Sequence, residues 1–423
     1  MRRLLVLLLA MAALAAPAAA RVATATGTIV TIAAVDHPRG LAVLPDGSFL
    51  VAEPFRNLVQ RVAPDGTVTT VAGTGTAGFS GDGGPAAAAE LNFVHGVAAM
   101  PDGGFVLADT LNDRIRRVSP DGTITTVARD LADPRGVAAF PNGKILIPDT
   151  GNNRIEVVNA DGTIQTVAGI GVAGFAGDGG PATSAELRSP FGVAPLPDGG
   201  FLVDDSGNAR IRRVRPDGTI TTVAGNGIAG YAGDGGPAVD AEVSAVHNIA
   251  PAPGGFLIAD TGNDRIRLVR SDGTIGTIAG SGTRGFSGDG GPALAAQLDQ
   301  PKAVALTAAG GVLVADSEND RVRLADLALL PPLTLKLAPR ALRARPGSGV
   351  RLRFTLDAPA LVRARLLRGS KTVVTRSAST RPGAASLVLR APRRPGRYRI
   401  VVLATASGGR TARANGSLTV TRR

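Results

Sequence analysis

The sequence predicts an all-β protein made of six copies of one four-stranded unit, followed by a second domain of short strands. The clearest copy is LADTLNDRIRRVSPDGTITTVAR at 107–129. A repeat of about 40 residues that holds about four strand-like segments is typical of a β-propeller blade. The other copies, of which the first is weaker and the last is truncated, begin at Val51, Ile147, Val203, Ile258 and Val314.

The first 20 residues have the three parts of a secretory signal peptide. Arg2 and Arg3 precede an apolar run, and small residues end it at Ala20, the predicted cleavage site. An uncleaved anchor is an alternative, although the apolar run is short for a bilayer span. We therefore expect an exported protein, secreted or held at the cell surface, without a transmembrane span in the mature chain.

The next segment, TGTIVTIA at 26–33, matches the closing strand of the repeat although no blade precedes it. The sixth copy lacks this closing strand. We therefore expect the N-terminal strand to complete the last blade, because a closed ring leaves no exposed sheet edge. This pattern predicts a six-bladed propeller over residues 21–330.

Each blade is predicted to contain four short antiparallel strands. In the second copy these are GVAAMPDG at 96–103, GFVLAD at 104–109, RIRRV at 114–118 and GTITTVA at 122–128. Pro fixes φ and Gly accepts positive φ, so the Pro-Asp-Gly sequences indicate turns. The Val and Ile residues between the turns favour buried strands.

Four junctions between copies carry an insert, such as GTGTAGFSGDGGPAAAAEL at 73–91. The DTGNDRIRLV and GTAGFSGDGGPA sequences closely resemble NHL-repeat propellers, including those of teneurins and of bacterial exported proteins. The resemblance covers about residues 27–330 and implies the fold. Known NHL proteins bind proteins, RNA or small molecules and a few are lyases, so the resemblance leaves the activity open. The other inserts occupy 169–187, 225–243 and 280–298.

Residues 331–423 have a different character, with six or seven strand-like segments such as GVRLRFTL at 349–356. Turn signals between short strands predict an immunoglobulin-like or fibronectin-like β-sandwich. This region holds 21 Lys and Arg and one acidic residue, whereas residues 1–330 hold 25 basic and 33 acidic residues. Such asymmetry favours an anionic partner.

Arginines at every second position of a strand should lie on one face of it. Here they predict a basic sheet surface that contacts anionic cell-envelope polymers, although solvated decoration is the alternative. The candidate contact residues are Arg351, Arg353, Arg363, Arg365, Arg397 and Arg399.

The composition excludes several chemistries. The chain has no Cys, which excludes disulfides, thiolate metal sites and cysteine nucleophiles. No nucleophile elbow, phosphate loop or HExxH sequence is present. With 12 Phe, two Tyr and no Trp, few aromatic side chains are available for stacking. The predicted export and the acidic body disfavour a nucleic-acid partner.

The residue just before the first, inner strand of each blade varies between copies, whereas the surrounding positions repeat. This contrast indicates a binding site built on a repeated scaffold. Two histidines occupy this position in the second and fifth blades, which face each other across a six-fold ring. The ring predicts an anion-binding channel mouth or, with His37, a site for one divalent metal; otherwise no cofactor is expected. A solvated rim is the remaining alternative. The six residues are Arg39, His95, Arg135, Phe191, His247 and Lys302.

The Asp, Asn and Arg residues that recur in each copy favour a structural role over calcium binding or acid–base catalysis. We expect Asp and Asn to cap the backbone of the tight loop and Arg to bridge to the carboxylate. We also expect these loops and the inserts to crowd around the channel mouth. The recurring residues are Asp109, Asn112, Arg114, Asp149, Asn152, Arg154, Asp205, Asn208, Arg210, Asp260, Asn263, Arg265, Asp316, Asn319 and Arg321.

The function that the sequence favours is an exported, non-enzymatic binding or scaffold protein whose loop face recognises a protein or glycan. The alternative is a lactonase-like metal-dependent hydrolase or lyase that uses His95 and His247 at the channel mouth. The presence of a tightly bound metal would distinguish the two.

Overall fold

The computed structural model describes residues 27–327, 335–338, 341–356, 360–368, 371–381, 383–406 and 411–421. The predicted signal peptide, residues 1–20, lies outside these residues. The all-β prediction is confirmed, because strands and 3-10 turns are the regular elements of the described residues. None of the described helices is long and apolar enough to cross a membrane. The 3-10 turns are Pro54–Arg56, Ala86–Ala88, Thr110–Asn112, Thr150–Asn152, Ala182–Ser184, Ser206–Asn208, Ala238–Asp240, Thr261–Asn263, Ala293–Ala295 and Ser317–Asn319.

Five four-stranded antiparallel sheets follow one another along the chain, each with its strands in sequence order. The first two contain β2 (Gly40–Val43), β3 (Phe49–Glu53), β4 (Leu58–Val62) and β5 (Val68–Ala72), then β6 (Val94–Ala99), β7 (Phe105–Asp109), β8 (Arg114–Val118) and β9 (Ile124–Ala128). The third and fourth contain β10 (Ala138–Ala139), β11 (Ile145–Asp149), β12 (Arg154–Val158) and β13 (Ile164–Ala168), then β14 (Val193–Pro195), β15 (Phe201–Asp205), β16 (Arg210–Val214) and β17 (Ile220–Ala224). The fifth contains β18 (Asn248–Ala252), β19 (Gly255–Asp260), β20 (Arg265–Arg270) and β21 (Ile275–Ala279).

A sixth four-stranded sheet joins the two ends of this region. It contains β22 (Pro301–Leu306), β23 (Val312–Asp316) and β24 (Arg321–Asp326), and β1 (Thr28–Ala34) pairs with β24. The first strand of each sheet packs against the first strand of the next, and β22 packs against β2. These sheets are of the kind that forms propeller blades.

The first half of each insert reaches the tight loop, as Asn112 Nδ2 donates to the Gly78 carbonyl at 2.7 Å. The Gly-Asp-Gly-Gly part instead lies on an outer strand and not at the channel mouth, contrary to the sequence-based expectation. Gly83 donates its N–H to the carbonyl of Ile124 at 2.8 Å, and Ala86 donates to Gly122 at 2.9 Å. The insert therefore runs along β9, the outer strand of the following sheet, whose free edge needs hydrogen-bond partners. It also covers Ile124, which is 0% exposed, whereas the equivalent Ile164, in a sheet that no insert precedes, is 43% exposed.

A buried arginine fixes each insert to its sheet. The Arg116 side chain is fully buried and donates Nε to Asp82 Oδ1 at 3.1 Å, Nη2 to the Ser80 carbonyl at 2.9 Å and Nη1 to Asp109 Oδ2 at 3.4 Å. Its equivalents in the other insert-bearing junctions are Arg212, Arg267 and Arg323, while the two sheets without an insert have Gln60 and Glu156. Insert and arginine thus occur together.

The C-terminal region has eight strands within its described residues, against the six or seven predicted. β25 (Leu335–Ala338), β27 (Gly349–Leu356) and β30 (Gly383–Arg390) form a three-stranded sheet. β26 (Ala341–Ala344), β28 (Ala360–Arg368), β29 (Lys371–Thr380), β31 (Gly396–Ala406) and β32 (Thr411–Val420) form a five-stranded sheet. Both sheets contribute to one buried core, which includes Leu352, Phe354, Val362 and Ile400.

The predicted basic surface is divided between these two sheets. Arg351 and Arg353 are exposed on β27, in the three-stranded sheet. Arg363 and Arg365 on β28, and Arg397 and Arg399 on β31, are exposed on the five-stranded sheet. Since the buried side chains of both sheets share one core, the exposed arginines lie on two outward faces and not on a single surface.

Candidate functional site

The structure brings the six predicted ring residues together at the ends of the first strands. Two phenylalanines that the sequence analysis did not single out, Phe55 and Phe93, lie with them. We call these eight residues the mouth cluster: Arg39, Phe55, Phe93, His95, Arg135, Phe191, His247 and Lys302.

The two facing histidines approach each other closely. The ring centroids of His95 and His247 are 6.3 Å apart, with 14° between their planes. Phe191 contacts both, at centroid distances of 6.0 Å to His95 and 4.9 Å to His247. The mouth is therefore narrow at this point and lined by aromatic rings.

The aromatic surface continues from His95 around the mouth. Phe93 lies 6.4 Å from His95 and 5.5 Å from Phe55, and Phe55 lies 5.2 Å from His37. Phe55 is 55% exposed, so it offers a ring to solvent. All three histidines and three of the 12 phenylalanines of this aromatic-poor chain therefore meet here.

Both facing histidines are held in the neutral form. Burial, and then the positive charges of Lys302, Arg39 and Arg135, lower the pKa of His247 to about 4. Burial and the neighbouring charges likewise hold the pKa of His95 well below its usual value. His247 Nδ1 lies 2.8 Å from the carbonyl of Ala245, which can only accept, so Nδ1 carries the hydrogen and Nε2 is an acceptor.

The three cations of the mouth differ in their pairing. Lys302 Nζ lies 3.0 Å from Glu318 Oε1, and Arg135 Nε donates to Asp133 Oδ2 at 2.6 Å. Among the described residues no carboxylate lies within ion-pair distance of Arg39, and its buried Nε has no hydrogen-bond partner. Its guanidinium instead lies 5.0 Å from the centroid of Phe55 and 5.2 Å from that of Phe93. Arg39 is thus a half-buried cation without an ion pair of its own, and the carboxylate charge that acts on it is that of Glu318, which is paired with Lys302.

His37 belongs to a different group from the two facing histidines. Its Nδ1 lies 2.6 Å from Asp36 Oδ1 and 3.0 Å from Asp320 Oδ1, and these three residues are the one cluster of the described part of the chain that could hold a metal ion. The expectation that His37 joins His95 and His247 around one metal is therefore not met. The hydrogen bond to Asp36, opposed in part by burial, raises the pKa of His37.

The pKa of His37 predicts a pH-dependent contribution to stability. A raised folded-state pKa means that the stabilisation is fully present below the unfolded value of about 6.5 and is lost as pH rises through the folded pKa. We expect the difference in free energy of unfolding between the native protein and His37→Gln to shrink over that range, as measured by denaturant unfolding at several pH values.

His247→Gln is the control for this prediction, because its effect should have the opposite sign. The lowered pKa of His247 stabilises the folded protein above pH 6.5 and costs stability as pH falls toward 4. A His37→Gln difference that grew with rising pH would contradict the assignment of His37 as a charged partner of Asp36 and Asp320.

The recurring aspartates hold the chain entering their own sheet, and not the tight loop as predicted. Asp109 is fully buried, and Oδ1 accepts the backbone N–H of Asn92 at 2.7 Å, while Asn112 Nδ2 donates to both carboxylate oxygens at 2.9 Å. The tight loop receives no side-chain cap. The equivalents Asp149, Asp205, Asp260 and Asp316 accept the N–H groups of Ala132, Arg188, Ser244 and Asp299, and Asn152, Asn208, Asn263 and Asn319 donate to these carboxylates.

The predicted bridging arginine also has a different role in the insert-bearing sheets. Arg114 Nε donates to the carbonyl of Asn112 at 2.8 Å, and its guanidinium lies 3.5 Å from the centroid of Phe79 in the insert. In the third sheet, which lacks an insert, Arg154 does reach Asp149 Oδ2 at 3.1 Å. Arg210, Arg265 and Arg321 bond to backbone carbonyls as Arg114 does. In the insert-bearing sheets the buried arginine two positions later, Arg116 and its equivalents, pairs with the recurring aspartate. This arginine can be buried there because the insert supplies acceptors for its other N–H groups.

Two buried carboxyl groups lack full hydrogen bonding within the described residues. Glu53 replaces the recurring Asp in the first sheet; its Oε2 lies 3.5 Å from Arg56 Nη1, and burial raises its pKa to about 7. Asp204 accepts a bond from Ser206 Oγ at 2.8 Å, but its Oδ1 has no partner. Burial holds the pKa of Asp204 well above its usual value.

A separate groove of about 850 Å³ lies among the Pro-Asp-Gly turns, at the opposite strand ends from the mouth. It is lined by Met100, Asp102, Arg117, Asn142 and Ile145, among others. Its charged residues Asp102 and Arg117 are ion-paired with each other. The mouth cluster, which holds a cation without an ion pair, is therefore the stronger candidate for a ligand site.

Comparisons with known proteins agree with this architecture. Residues 131–158 match the NHL repeat. A structural genomics protein of unknown function from Bacteroides thetaiotaomicron is similar at 16% identity, covering 71% of this chain and 72% of that chain, with a TM-score of 0.54. A search of curated proteins finds no similar sequence.

Two enzymes are among the other similar structures. Virginiamycin B lyase from Staphylococcus aureus is 16% identical over 70% of this chain and 97% of that chain, with a TM-score of 0.47. A gluconolactonase from Xanthomonas campestris is 14% identical over 70% of this chain and 88% of that chain, with a TM-score of 0.47. Likeness at this level concerns the fold and carries no activity to this chain.

Proposed function

We propose that the chain is an NHL-repeat β-propeller protein and that its six four-stranded sheets form one closed six-bladed propeller spanning residues 21–330. The NHL match at residues 131–158 supports this proposal. The pairing of β1 with β24 and the packing of β22 against β2 support closure. In the same proposal residues 1–20 are a signal peptide, residues 331–423 are an immunoglobulin-like sandwich, and the protein acts outside the cytoplasm. The shared core of the two C-terminal sheets supports the sandwich.

We propose that this protein is a binding or scaffold protein that recognises a protein or glycan through the mouth cluster. The observation that carries the proposal is the half-buried Arg39, which forms no ion pair within the described residues and lies against Phe55 and Phe93. A buried charge without a partner costs stability, so natural proteins keep one mainly where a ligand supplies the partner.

The metal-dependent hydrolase or lyase is not favoured by the site. His95 and His247 offer neutral imidazoles, which is the form that binds metals. However, the positive charges of Lys302, Arg39 and Arg135 act on these histidines, as their lowered pKa values reflect, and would repel a cation between them. The proposed function is therefore binding without catalysis.

The test is binding of the full chain to immobilised glycans and peptides, with two variants that each remove one exposed phenylalanine. Phe55 in the mouth is 55% exposed and Phe79 in an insert is 44% exposed, so Phe55→Ala and Phe79→Ala remove similar surfaces. We expect Phe55→Ala to weaken binding by about tenfold or more, as loss of an aromatic anchor does, and Phe79→Ala to leave it unchanged. Equal binding by both variants would contradict the mouth as the site.

We propose in addition that the arginine-rich C-terminal faces attach the protein to anionic envelope polymers. Arg363, Arg365, Arg397 and Arg399 lie on the five-stranded sheet, and Asp357 is the one acidic residue in the sequence from 331 to 423. Attraction of this kind is screened within about 10 Å at 0.1 M salt. We therefore expect retention on heparin that falls as salt rises.

A charge-matched pair of variants tests this attachment. Changing these four arginines to glutamine should lower the salt concentration that elutes the full chain from heparin. The control changes four propeller arginines, Arg61, Arg117, Arg213 and Arg270, and so removes the same total charge. Equal shifts for the two variants would show that net charge, and not the C-terminal face, governs retention.

A further inference from the structure

We infer that the ligand of the mouth cluster is a uronate, that is, a sugar ring that carries a carboxylate. This inference rests on the proposed function, because it assumes that the ligand binds at the mouth. Three features of the mouth support it: a cation without an ion pair, imidazole acceptors without donors, and an aromatic lining of which Phe55 is exposed.

The cation defines the charge of the ligand. Lys302 and Arg135 form ion pairs with Glu318 and Asp133, whereas Arg39 feels the charge of Glu318 only from beyond ion-pair distance. Its Nε is buried and has no acceptor. One guanidinium with planar donors fits one carboxylate, which is also planar and carries a single negative charge. A doubly charged phosphate would leave one charge unbalanced.

The histidines define the hydrogen-bonding groups that accompany the carboxylate. His247 Nδ1 donates to the Ala245 carbonyl, so its Nε2 accepts. A bond between the His95 side chain and the Arg135 backbone leaves His95 Nε2, which is buried and has no partner, in the same acceptor role. A buried acceptor needs a donor. Sugar hydroxyls supply donors, whereas a carboxylate alone does not.

The phenylalanines define the shape of the ligand. Phe55, Phe93 and Phe191 form an apolar lining beside Arg39 and the two histidines. The C–H face of a sugar ring can pack on such rings while its edge presents hydroxyl groups and the carboxylate. A uronate therefore satisfies all three features, while a neutral sugar leaves Arg39 unpaired and an aromatic acid leaves the histidine acceptors unpaired.

The experiment is calorimetric titration of the full chain with D-glucuronate, D-glucose and benzoate. We expect glucuronate to bind at least about tenfold more tightly than either of the others, since each lacks one of the matched groups. Arg39→Gln should weaken glucuronate binding by about 10- to 100-fold, whereas Arg117→Gln, at a partly exposed arginine outside the mouth cluster, should not. Arg39→Lys, which keeps the charge, serves as a second variant if the glutamine variant does not fold.

The possible results separate this inference from the proposed function. Equal binding of glucose and glucuronate overturns the carboxylate requirement, and equal binding of benzoate overturns the hydroxyl requirement. Glucuronate binding that Arg39→Gln leaves intact also overturns the inference, because the sugar then binds elsewhere. If none of the three binds but Phe55→Ala still abolishes binding to an array ligand, such as an acidic peptide, the uronate inference fails and the proposed function stands.

Discussion

Replacing Arg116 with alanine is expected to lower the free energy of unfolding by about 3–5 kcal/mol, the usual effect of breaking a buried ion pair from one side. The change leaves the buried carboxylate of Asp109 without its cation and leaves the carbonyl of Ser80 without its donor. It also releases Asp82, which anchors the insert. The measurement is equilibrium unfolding in denaturant.

Arg117 next to it in sequence provides the control. Its side chain is partly exposed and pairs with Asp102 at the surface, where an ion pair contributes about 0–1 kcal/mol. Arg117→Ala should therefore have a small effect. If the two variants lost similar stability, the buried arginine would not be the residue that holds the insert to its sheet.

Replacing Ile29 with alanine is expected to lower the free energy of unfolding by about 2–5 kcal/mol, because it opens a cavity in the core. Ile29 is 0% exposed on β1, the strand that completes the sixth sheet. Its backbone also bonds to the last insert, with Ile29 N–H donating to Gly291 at 3.1 Å and Gly290 N–H donating to Ile29 at 2.8 Å.

Ile164 has the same place in the repeat and provides the matched control. No insert covers it and it is 43% exposed, so Ile164→Ala should change stability by no more than about 0.5 kcal/mol. Thermal or denaturant unfolding of both variants measures the difference. Tolerance of Ile29→Ala would contradict the view that the N-terminal strand is a structural part of the last sheet.

Local patterns in the sequence predicted the sheets well. The turn residues and the alternation of Val and Ile are short-range signals. The N-terminal strand could be identified as a closing strand because Ile29 occupies the same position of the repeat as Ile124. The bridge to the loop carboxylate was predicted for Arg114 and not for Arg116. Both arginines recur in the repeat, and Arg114 is the one that adjoins the acidic loop. The signal was present nonetheless: Gln60 and Glu156 replace Arg116 only in the two copies without an insert.

The candidate site could be predicted in part. The variable position before each inner strand located Arg39, His95 and His247, but Phe55 and Phe93 come from other positions of the repeat. They join the site only because neighbouring sheets pack side by side, which no local pattern encodes. The pairing state of Arg39 and the burial that keeps His247 neutral likewise depend on contacts between sheets.

The most direct test of the mouth as the ligand site is a crystal structure of the full chain grown with D-glucuronate. We predict the sugar carboxylate at hydrogen-bond distance, about 2.7–3.2 Å, from the Arg39 guanidinium, and a hydroxyl at the same distance from His247 Nε2. Glucuronate bound to the C-terminal arginines, with the mouth unoccupied, would contradict the account.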